Sequence, residues 1–379
     1  MTNRRKFITA VGTLGVGTLA GCAGDDENNG TPTATDIPLA KQTAKLSASD
    51  GDSDDDFGWS VAVSGDGSTA LLAAPGDEHP NGEDARSAYV FSRVDGTWSE
   101  EAKLTANDGP IIRRLRSLVA MAGDGSTALL AAPGDDPNGE GAGSAYVFSR
   151  GDGTWSEEAK LSASDGDSDD DFGWSVAMAG EGSTALVGAI GDEDPNGTAA
   201  GSAYVFSRGN GTWSEEAKLS ASDGDSGDHF GSSVAMAGDG PTAIVGAPED
   251  EDPNGTAAGS AYVFSRGDGT WSEEAKLSAS DGDSDDLFGF SVAVSGDGST
   301  ALLGAPGDED PNGTAAGSAY VFSRGDGTWS EGAKLTASDG DSDDLFGGSV
   351  AMAGDGSTAL LGAPVDEEPN GDLAGSAYV

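Results

Sequence analysis

Short acidic runs, in which aspartates alternate with small residues, recur along the chain. Alternate residues of an extended loop point to one side, and hard cations such as Ca²⁺ prefer six to eight oxygen ligands. These aspartates are therefore candidate calcium ligands, and we expect no other cofactor. The alternative is a hydrated acidic surface that attracts cations diffusely. The candidate ligands are Asp50, Asp52, Asp54, Asp165, Asp167, Asp169, Asp223, Asp225, Asp228, Asp281, Asp283, Asp285, Asp339, Asp341 and Asp343.

Residues suited to catalysis are scarce. The only histidines, His79 and His229, occupy non-equivalent positions, and Cys22 is the only cysteine. Because neither histidine has an evident nucleophile partner, a Ser-His-Asp triad is unsupported. Carboxylates are abundant, but nothing marks a matched acid and base for hydrolysis. We expect no catalytic residues and a protein that is not an enzyme.

Two kinds of short motif also fit simple turn chemistry. Arg-Gly-Asp begins at Arg150, Arg266 and Arg324, but Gly-Asp-Gly suits a tight hairpin turn, and we favour the turn over an adhesion peptide. Asn-Gly-Thr sequons could be glycosylated on an exported protein, although Asn-Gly is itself a turn sequence. The sequons begin at Asn29, Asn196, Asn210, Asn254 and Asn312.

The N-terminal residues 1–22 are predicted to be a targeting segment. Arg4 and Arg5 resemble the start of a twin-arginine export signal, and residues 7–20 form an uncharged apolar run too short for an ordinary spanning helix. Leu-Ala-Gly before Cys22 resembles a lipobox, so we expect a lipid on Cys22 that anchors the protein outside the cytoplasmic membrane. A non-lipidated signal peptide or an uncleaved anchor is the alternative. Residues 23–42 are predicted to be a flexible acidic tether.

The charge balance excludes several partners. Sixty-six acidic residues against 19 Lys and Arg give a formal net charge of −47. Nucleic acid and anionic membrane surfaces would repel such a folded domain. Self-repulsion on this scale destabilises a compact state unless cations screen it, which favours a halophilic, haloarchaeal source over an ordinary acidic surface protein. We therefore expect the protein to unfold on dilution to low salt.

One unit repeats through residues 43–379. Its AKL triplet recurs with a spacing of 57 or 58 residues, and its leucines are Leu46, Leu104, Leu161, Leu219, Leu277 and Leu335. Such a period indicates a solenoid, propeller or array. Calcium-binding β-rolls repeat every nine residues, which does not occur here, and recurring aromatic residues argue against disorder.

Each unit contains four short apolar stretches separated by glycine-rich turns. In the third unit these are residues 174–178, 184–187, 202–206 and 212–219. Their length and their β-branched and aromatic content predict a four-stranded antiparallel meander. On the fourth strand, alternation places Trp213, Ala217 and Leu219 on one face. We predict an all-β fold, a β-propeller of about six such blades.

Residues 42–46 read as a fourth strand and residues 375–379 as a third strand. The N-terminal strand is therefore expected to complete the sixth blade and close the ring. The alternative is that one or more blades are missing. We also expect a monomer. Strand alternation also places both acidic loops of each unit on one face of the disk.

The second unit departs from this pattern at residues 110–118, which read Pro-Ile-Ile-Arg-Arg-Leu-Arg-Ser-Leu. A compensated frameshift or a sequencing error is our hypothesis, and a basic docking patch is the alternative.

The repeat resembles the FG-GAP repeat of integrin α subunits and microbial surface proteins. Phe-Gly begins at residues 57, 172, 230, 288 and 346. Gly-Ala-Pro begins at Gly246, Gly304 and Gly362, with Ala-Ala-Pro at Ala73 and Ala131 and Gly-Ala-Ile at Gly188. The resemblance implies a propeller with an extracellular binding role. The calcium loop of integrin-type blades, between the first two strands, is absent, so those calcium sites do not carry over.

These observations predict an exported, lipid-anchored binding or adhesion module on the cell surface, dependent on calcium if the aspartate runs hold it. Its expected partner is an extracellular protein or glycan. Two alternatives stay open: a calcium-dependent carbohydrate-active enzyme on a propeller scaffold, and a purely structural envelope protein.

Overall fold

The computed structural model describes residues 44–77, 87–105, 119–193, 195–251, 253–309, 312–367 and 374–379. Within these ranges the chain forms strands and no helix, so it offers no helical membrane span there. The predicted signal segment, the tether, Cys22, Asn29 and the divergent residues 110–118 lie outside the described residues.

The strands form six antiparallel sheets, one per repeat, in sequential order. Blade 1 contains β1 (Val61–Val63), β2 (Thr69–Ala74), β3 (Ser87–Val94) and β4 (Thr97–Thr105). Blade 2 contains β5 (Val119–Met121), β6 (Thr127–Ala132), β7 (Ser144–Gly151) and β8 (Thr154–Leu161). Blade 3 contains β9 (Ser175–Met178), β10 (Thr184–Ala189), β11 (Ser202–Gly209) and β12 (Thr212–Leu219).

The remaining blades repeat the pattern. Blade 4 contains β13 (Ser233–Met236), β14 (Thr242–Ala247), β15 (Ser260–Gly267) and β16 (Thr270–Leu277). Blade 5 contains β17 (Ser291–Val294), β18 (Thr300–Ala305), β19 (Ser318–Gly325) and β20 (Thr328–Leu335). Blade 6 contains β21 (Ser349–Met352), β22 (Ala359–Ala363) and β23 (Ser376–Tyr378). The predicted all-β fold of six antiparallel meander blades is confirmed.

Blades 2 to 5 each bury two different apolar faces. We call the face toward the preceding blade the leading face; in blade 4 it carries Met236, Val245, Tyr262 and Phe264. The opposite face, which we call the trailing face, carries the residues that alternate with the leading-face residues along the second and third strands. Ile244 is one of them, and it packs against blade 5. Five mixed clusters of this kind join blades 1 to 6 in order. The core is therefore a series of interfaces between blades rather than one central mass.

The two motifs that define the repeat meet across these interfaces. Phe230 is 1% exposed and packs edge-on against Tyr262, with ring centroids 5.5 Å apart. A Cβ added to Gly246 would lie 2.0 Å from the carbonyl oxygen of Gly289, so only glycine fits there. The Phe-Gly of one blade thus packs against the Gly-Ala-Pro of the blade before it.

The predicted faces of the fourth strand are wrong in part, because that strand contains a β-bulge. Val205 pairs with Ala217 but Phe206 pairs with Glu215, so Glu216 is the extra residue. The bulge reverses the alternation. Trp213 therefore packs on the leading face toward blade 2, whereas Ala217 and Leu219 pack on the trailing face toward blade 4.

The predicted closure by the N-terminal strand is not formed by the described residues. The sixth sheet contains only β21, β22 and β23, and residues 44–48 belong to no strand. Instead, Leu46 and Ala48 pack against the leading face of blade 1, beside Leu72 and Tyr89. Leu46 therefore occupies the place that Leu161 occupies against blade 3.

Candidate functional site on the acidic face

The acidic loops of neighbouring blades form one continuous surface. In blade 3 they are the crossover before β9 and the loop between β10 and β11. The Asp169 N–H donates to the Glu140 carbonyl of blade 2 at 2.8 Å, and the Gly191 N–H donates to the Asp170 carbonyl at 3.0 Å. The contacts agree with the prediction that both loops lie on one face, which we call the acidic face.

The first aspartate of each acidic run belongs to an internal polar network. The Tyr204 hydroxyl is positioned to donate to Asp165, at 2.9 Å, and to the buried Asp192, at 2.5 Å. The Lys218 ammonium lies 2.8 Å from both carboxylates and 5.4 Å from the centre of the Tyr204 ring. Equivalent networks centre on Tyr89, Tyr262 and Tyr320.

This network sets the ionisation of its members. Burial alone would raise the pKa of Asp165, but the hydrogen bonds from Lys218 and Tyr204 outweigh it, so that pKa is lowered. Burial would lower the pKa of Lys218, yet the bonds to Asp165 and Asp192 raise it. The pKa of Tyr204 is raised by burial and by the adjacent carboxylates. At neutral pH Asp165 is therefore ionised beside the Lys218 ammonium and the neutral Tyr204 phenol, and the first aspartates have a structural role.

The second and third aspartates of the runs face solvent. Asp167 and Asp169 are exposed, and Asp169 adopts a left-handed conformation with φ 67°. The fourth unit differs from the predicted register. There Gly227 occupies the place of Asp169, and Asp228 is the equivalent of the buried Asp170.

The buried aspartate of each run was missed as a class by the sequence reasoning. It accepts the backbone N–H of the second aspartate, as in Asp228 from Asp225 at 2.7 Å. Burial, together with neighbouring carboxylates, raises the pKa of Asp170, Asp228 and Asp286 to about 6. Only its fixed position in the repeat, just before the Phe-Gly region, could have identified it. The members of this class are Asp55, Asp170, Asp228, Asp286 and Asp344.

The candidate calcium ligands do not form closed sites in this arrangement. Among the described residues, no group of three or more His, Cys, Asp or Glu side chains is placed to hold a metal ion. The geometry has a simple cause, since Lys218 and Tyr204 occupy Asp165 while Asp167 and Asp169 point into solvent. The residues as placed do not fit a discrete calcium site.

The Arg-Gly-Asp arginines join neighbouring blades. Arg266 Nε lies 2.6 Å from Oε1 of Glu216, the bulge residue of the preceding blade, and Trp271 Nε1 donates to the same oxygen at 3.2 Å. Arg150 and Arg324 form equivalent pairs with Glu101 and Glu274. The Asp268 that completes one such triplet has φ 52°, which agrees with the turn interpretation.

The sequon asparagines divide into two groups. The side-chain amides of Asn196, Asn254 and Asn312 donate to the carbonyls of Ala221, Ala279 and Ala337 in the next crossover, at 2.8, 2.9 and 3.0 Å. Asn210 instead lies in the exposed hairpin turn between β11 and β12, with φ 53°. Only Asn210 of these four presents an amide that is not used between loops.

Radial antiparallel blades with these interfaces define a β-propeller. The FG-GAP repeat family matches the chain six times, at residues 40–91, 98–148, 155–206, 213–264, 271–322 and 329–379. The chain therefore belongs to the FG-GAP repeat family.

Comparison with solved structures shows the same fold at low sequence similarity. The periplasmic gluconolactonase PpgL of Pseudomonas aeruginosa superimposes with a TM-score of 0.53 and 14% identity, over 84% of each chain. At that identity the similarity shows the fold alone. Comparison with curated proteins gives no match.

Proposed function

We propose that this FG-GAP propeller is a binding module that contacts its ligand through the acidic face. The observation that carries the proposal is the continuity of that face, because loops of adjacent blades are hydrogen-bonded into one surface. Internal hydrogen bonds engage the first aspartates of these runs. The later aspartates, Asp167, Asp169, Asp283 and Asp285, are exposed toward solvent. These exposed groups are available to a ligand.

The proposed ligand is an extracellular protein or glycan that meets this surface through cations or basic groups. A layer of cations, calcium among them, would screen the carboxylates and bridge them to ligand oxygens. Because the aspartates are not arranged as closed calcium sites, the ions in this proposal are held loosely and exchange with the salt of the medium.

The proposal includes export and anchoring. The twin-arginine-type segment, Cys22 and the polar residues 23–42 support a protein held outside the cytoplasmic membrane by a lipid on Cys22. The propeller would then stand clear of the membrane surface, which a domain of this charge would otherwise avoid. The acidic composition supports a halophilic source.

The test compares two variants that lose the same charge on opposite faces. The acidic-face variant carries Asp→Asn substitutions at Asp167, Asp169, Asp283 and Asp285. The control carries Asp→Asn substitutions in the hairpin turns, at Asp95, Asp152, Asp268 and Asp326. Asn210 occupies the equivalent turn of blade 3, so this control suits the backbone. Both variants are applied to glycan and cell-surface protein arrays in molar KCl, with and without calcium.

We expect the acidic-face variant to lose at least about tenfold in affinity while the turn variant binds as the wild type does. Equal binding by both variants would exclude the acidic face as the binding surface. Absence of any ligand for the wild-type protein would instead favour the structural envelope alternative.

A further inference from the structure

The hairpin between β11 and β12 carries an asparagine where the equivalent hairpins carry an aspartate. Asn210 and Gly211 are the two central residues of this turn, with φ 53° and 79°. Positive φ at both central residues is the requirement of a type I′ turn, which Asn-Gly and Asp-Gly both satisfy. The equivalent aspartates have φ between 50° and 52°, and they are Asp95, Asp152, Asp268 and Asp326.

The turn leaves the Asn210 side-chain amide and the Gly211 backbone nitrogen open to solvent. Both residues are exposed, and a Cβ added to Gly211 would meet nothing within 4 Å. The strand ladder closes at the pair of Gly209 and Thr212, so the N–H groups of the two residues between them lie outside it. No residue that the structure describes makes a hydrogen bond to the Asn210 side chain. The amide carbon and the following nitrogen can therefore approach each other.

The same tripeptide, Asn-Gly-Thr, is held on both sides in the loops between the second and third strands. There the asparagine is half-buried, and its amide donates to the next crossover, as Asn196 does to the Ala221 carbonyl at 2.8 Å. The glycine nitrogen is engaged as well, because the Gly197 N–H donates to the Glu193 carbonyl at 2.7 Å. The glycines of the other two copies make the same bond, at 2.8 Å. These copies begin at Asn196, Asn254 and Asn312.

We propose that Asn210 is a site of spontaneous deamidation. The Gly211 backbone nitrogen forms a bond to Cγ of Asn210 and gives up its proton. The bond from Cγ to the side-chain nitrogen breaks, and that nitrogen leaves with the proton as ammonia. Glycine suits the second position because it has no Cβ to hinder its nitrogen. Water then opens the cyclic imide, either at Cγ to give aspartate or at the backbone carbonyl carbon of Asn210 to give isoaspartate.

The two products affect the turn differently. Aspartate is the residue that four equivalent turns already hold in this conformation, so the hairpin accepts it. Isoaspartate inserts an extra carbon into the backbone between Gly209 and Thr212, which opposes their pairing. Either product adds a negative charge, and neither is an acceptor for an N-linked glycan, because the sequon requires asparagine. Deamidation therefore removes Asn210 permanently from the possible glycosylation sites.

Peptide mapping of the full-length protein tests this assignment, because four identical Asn-Gly-Thr segments of the repeats react side by side in one molecule. Protein from a host that does not glycosylate is incubated at pH 8 in molar KCl, and a parallel sample is unfolded in urea. Samples taken over time are digested at mildly acidic pH, so that the digestion adds no further deamidation. Mass spectrometry and chromatography then score each asparagine. Asn210→Asp protein is the standard for the aspartate product, and a synthetic peptide is the standard for isoaspartate.

In the folded protein we expect Asn210 to deamidate at least about tenfold faster than Asn196, because the loop that holds Asn196 must open before it can react. In urea the two asparagines should react at similar rates, since the reacting tripeptide is the same. Equal rates at the two positions in the folded protein would overturn the proposal. An Asn210 that keeps its amide in the folded protein, while the same asparagine reacts in urea, would overturn it too.

Discussion

Replacing the buried Asp228 by asparagine should stabilise the protein at neutral pH. Asp228 is 2% exposed, its Oδ2 accepts the Asp225 N–H, and its Oδ1 has no hydrogen-bond partner. Burial first, and then the carboxylates of Asp250, Glu251 and Asp225, raise its pKa from 3.8 to about 6. Asparagine keeps an acceptor for the N–H and removes the charge.

The sign and size of the expected change in unfolding free energy follow from the linkage between protonation and folding. The folded state holds the Asp228 proton more tightly than the unfolded state, so ionisation costs stability. The cost is fully present above pH 6 and disappears as the pH falls from about 6 toward 3.8. A difference of about two pKa units corresponds to about 3 kcal/mol. Because the buried amide carries a desolvation cost of its own, we expect Asp228→Asn to gain about 1–3 kcal/mol at pH 8 and almost nothing at pH 4.

The assay is urea unfolding in molar KCl with a chelator, followed by tryptophan fluorescence at both pH values. Asp268→Asn removes the same charge from the exposed hairpin turn of the same blade and serves as the control for overall repulsion. Loss of stability in Asp228→Asn at pH 8, or a gain equal to that of the control, would refute this reasoning.

Further predictions concern the other interactions of the blades. Tyr204→Phe removes the hydroxyl shared by two carboxylates and should cost about 1–3 kcal/mol in the same urea assay. Glu216→Ala breaks the pairing to Arg266 across a blade interface and should cost about 1 kcal/mol, reduced at higher salt. Peptide mapping of protein from a glycosylating host should find glycan on Asn210 and none on Asn196. Transfer to salt-free buffer should abolish the β-sheet circular dichroism, and an unchanged spectrum would contradict the halophile argument.

Much of the fold follows from local rules that the sequence displays directly. The constant spacing of Leu104, Leu161 and Leu219 defines equal units, and Gly-flanked turns between short apolar runs define the meander. The predicted strand positions in the third unit agree with β9 to β12 within a few residues. Placing the acidic loops on one face required only strand alternation.

The predictions that were wrong concern positions where the sequence departs from a regular strand or repeat pattern. The bulge at Glu216 cannot be read from strand periodicity, because an inserted residue leaves the composition unchanged and reverses the faces beyond it. In the fourth acidic run, Gly227 stands where the third unit has its third aspartate, Asp169. Asp228 was therefore predicted to be a metal ligand, although it is the equivalent of the buried Asp170. The network around Tyr204 joins it to Asp165, 39 residues earlier, and to Lys218, 14 residues later. Contacts between residues so far apart in the sequence are set by the three-dimensional fold and not by local patterns.

Calcium titration calorimetry in molar KCl tests most directly the claim that the aspartate runs are held by internal networks and do not form closed metal sites. The account predicts weak heats without a defined stoichiometry, the same for the wild type and for Asp165→Asn. Saturable binding of one ion per acidic run, lost at one site in Asp165→Asn, would contradict it.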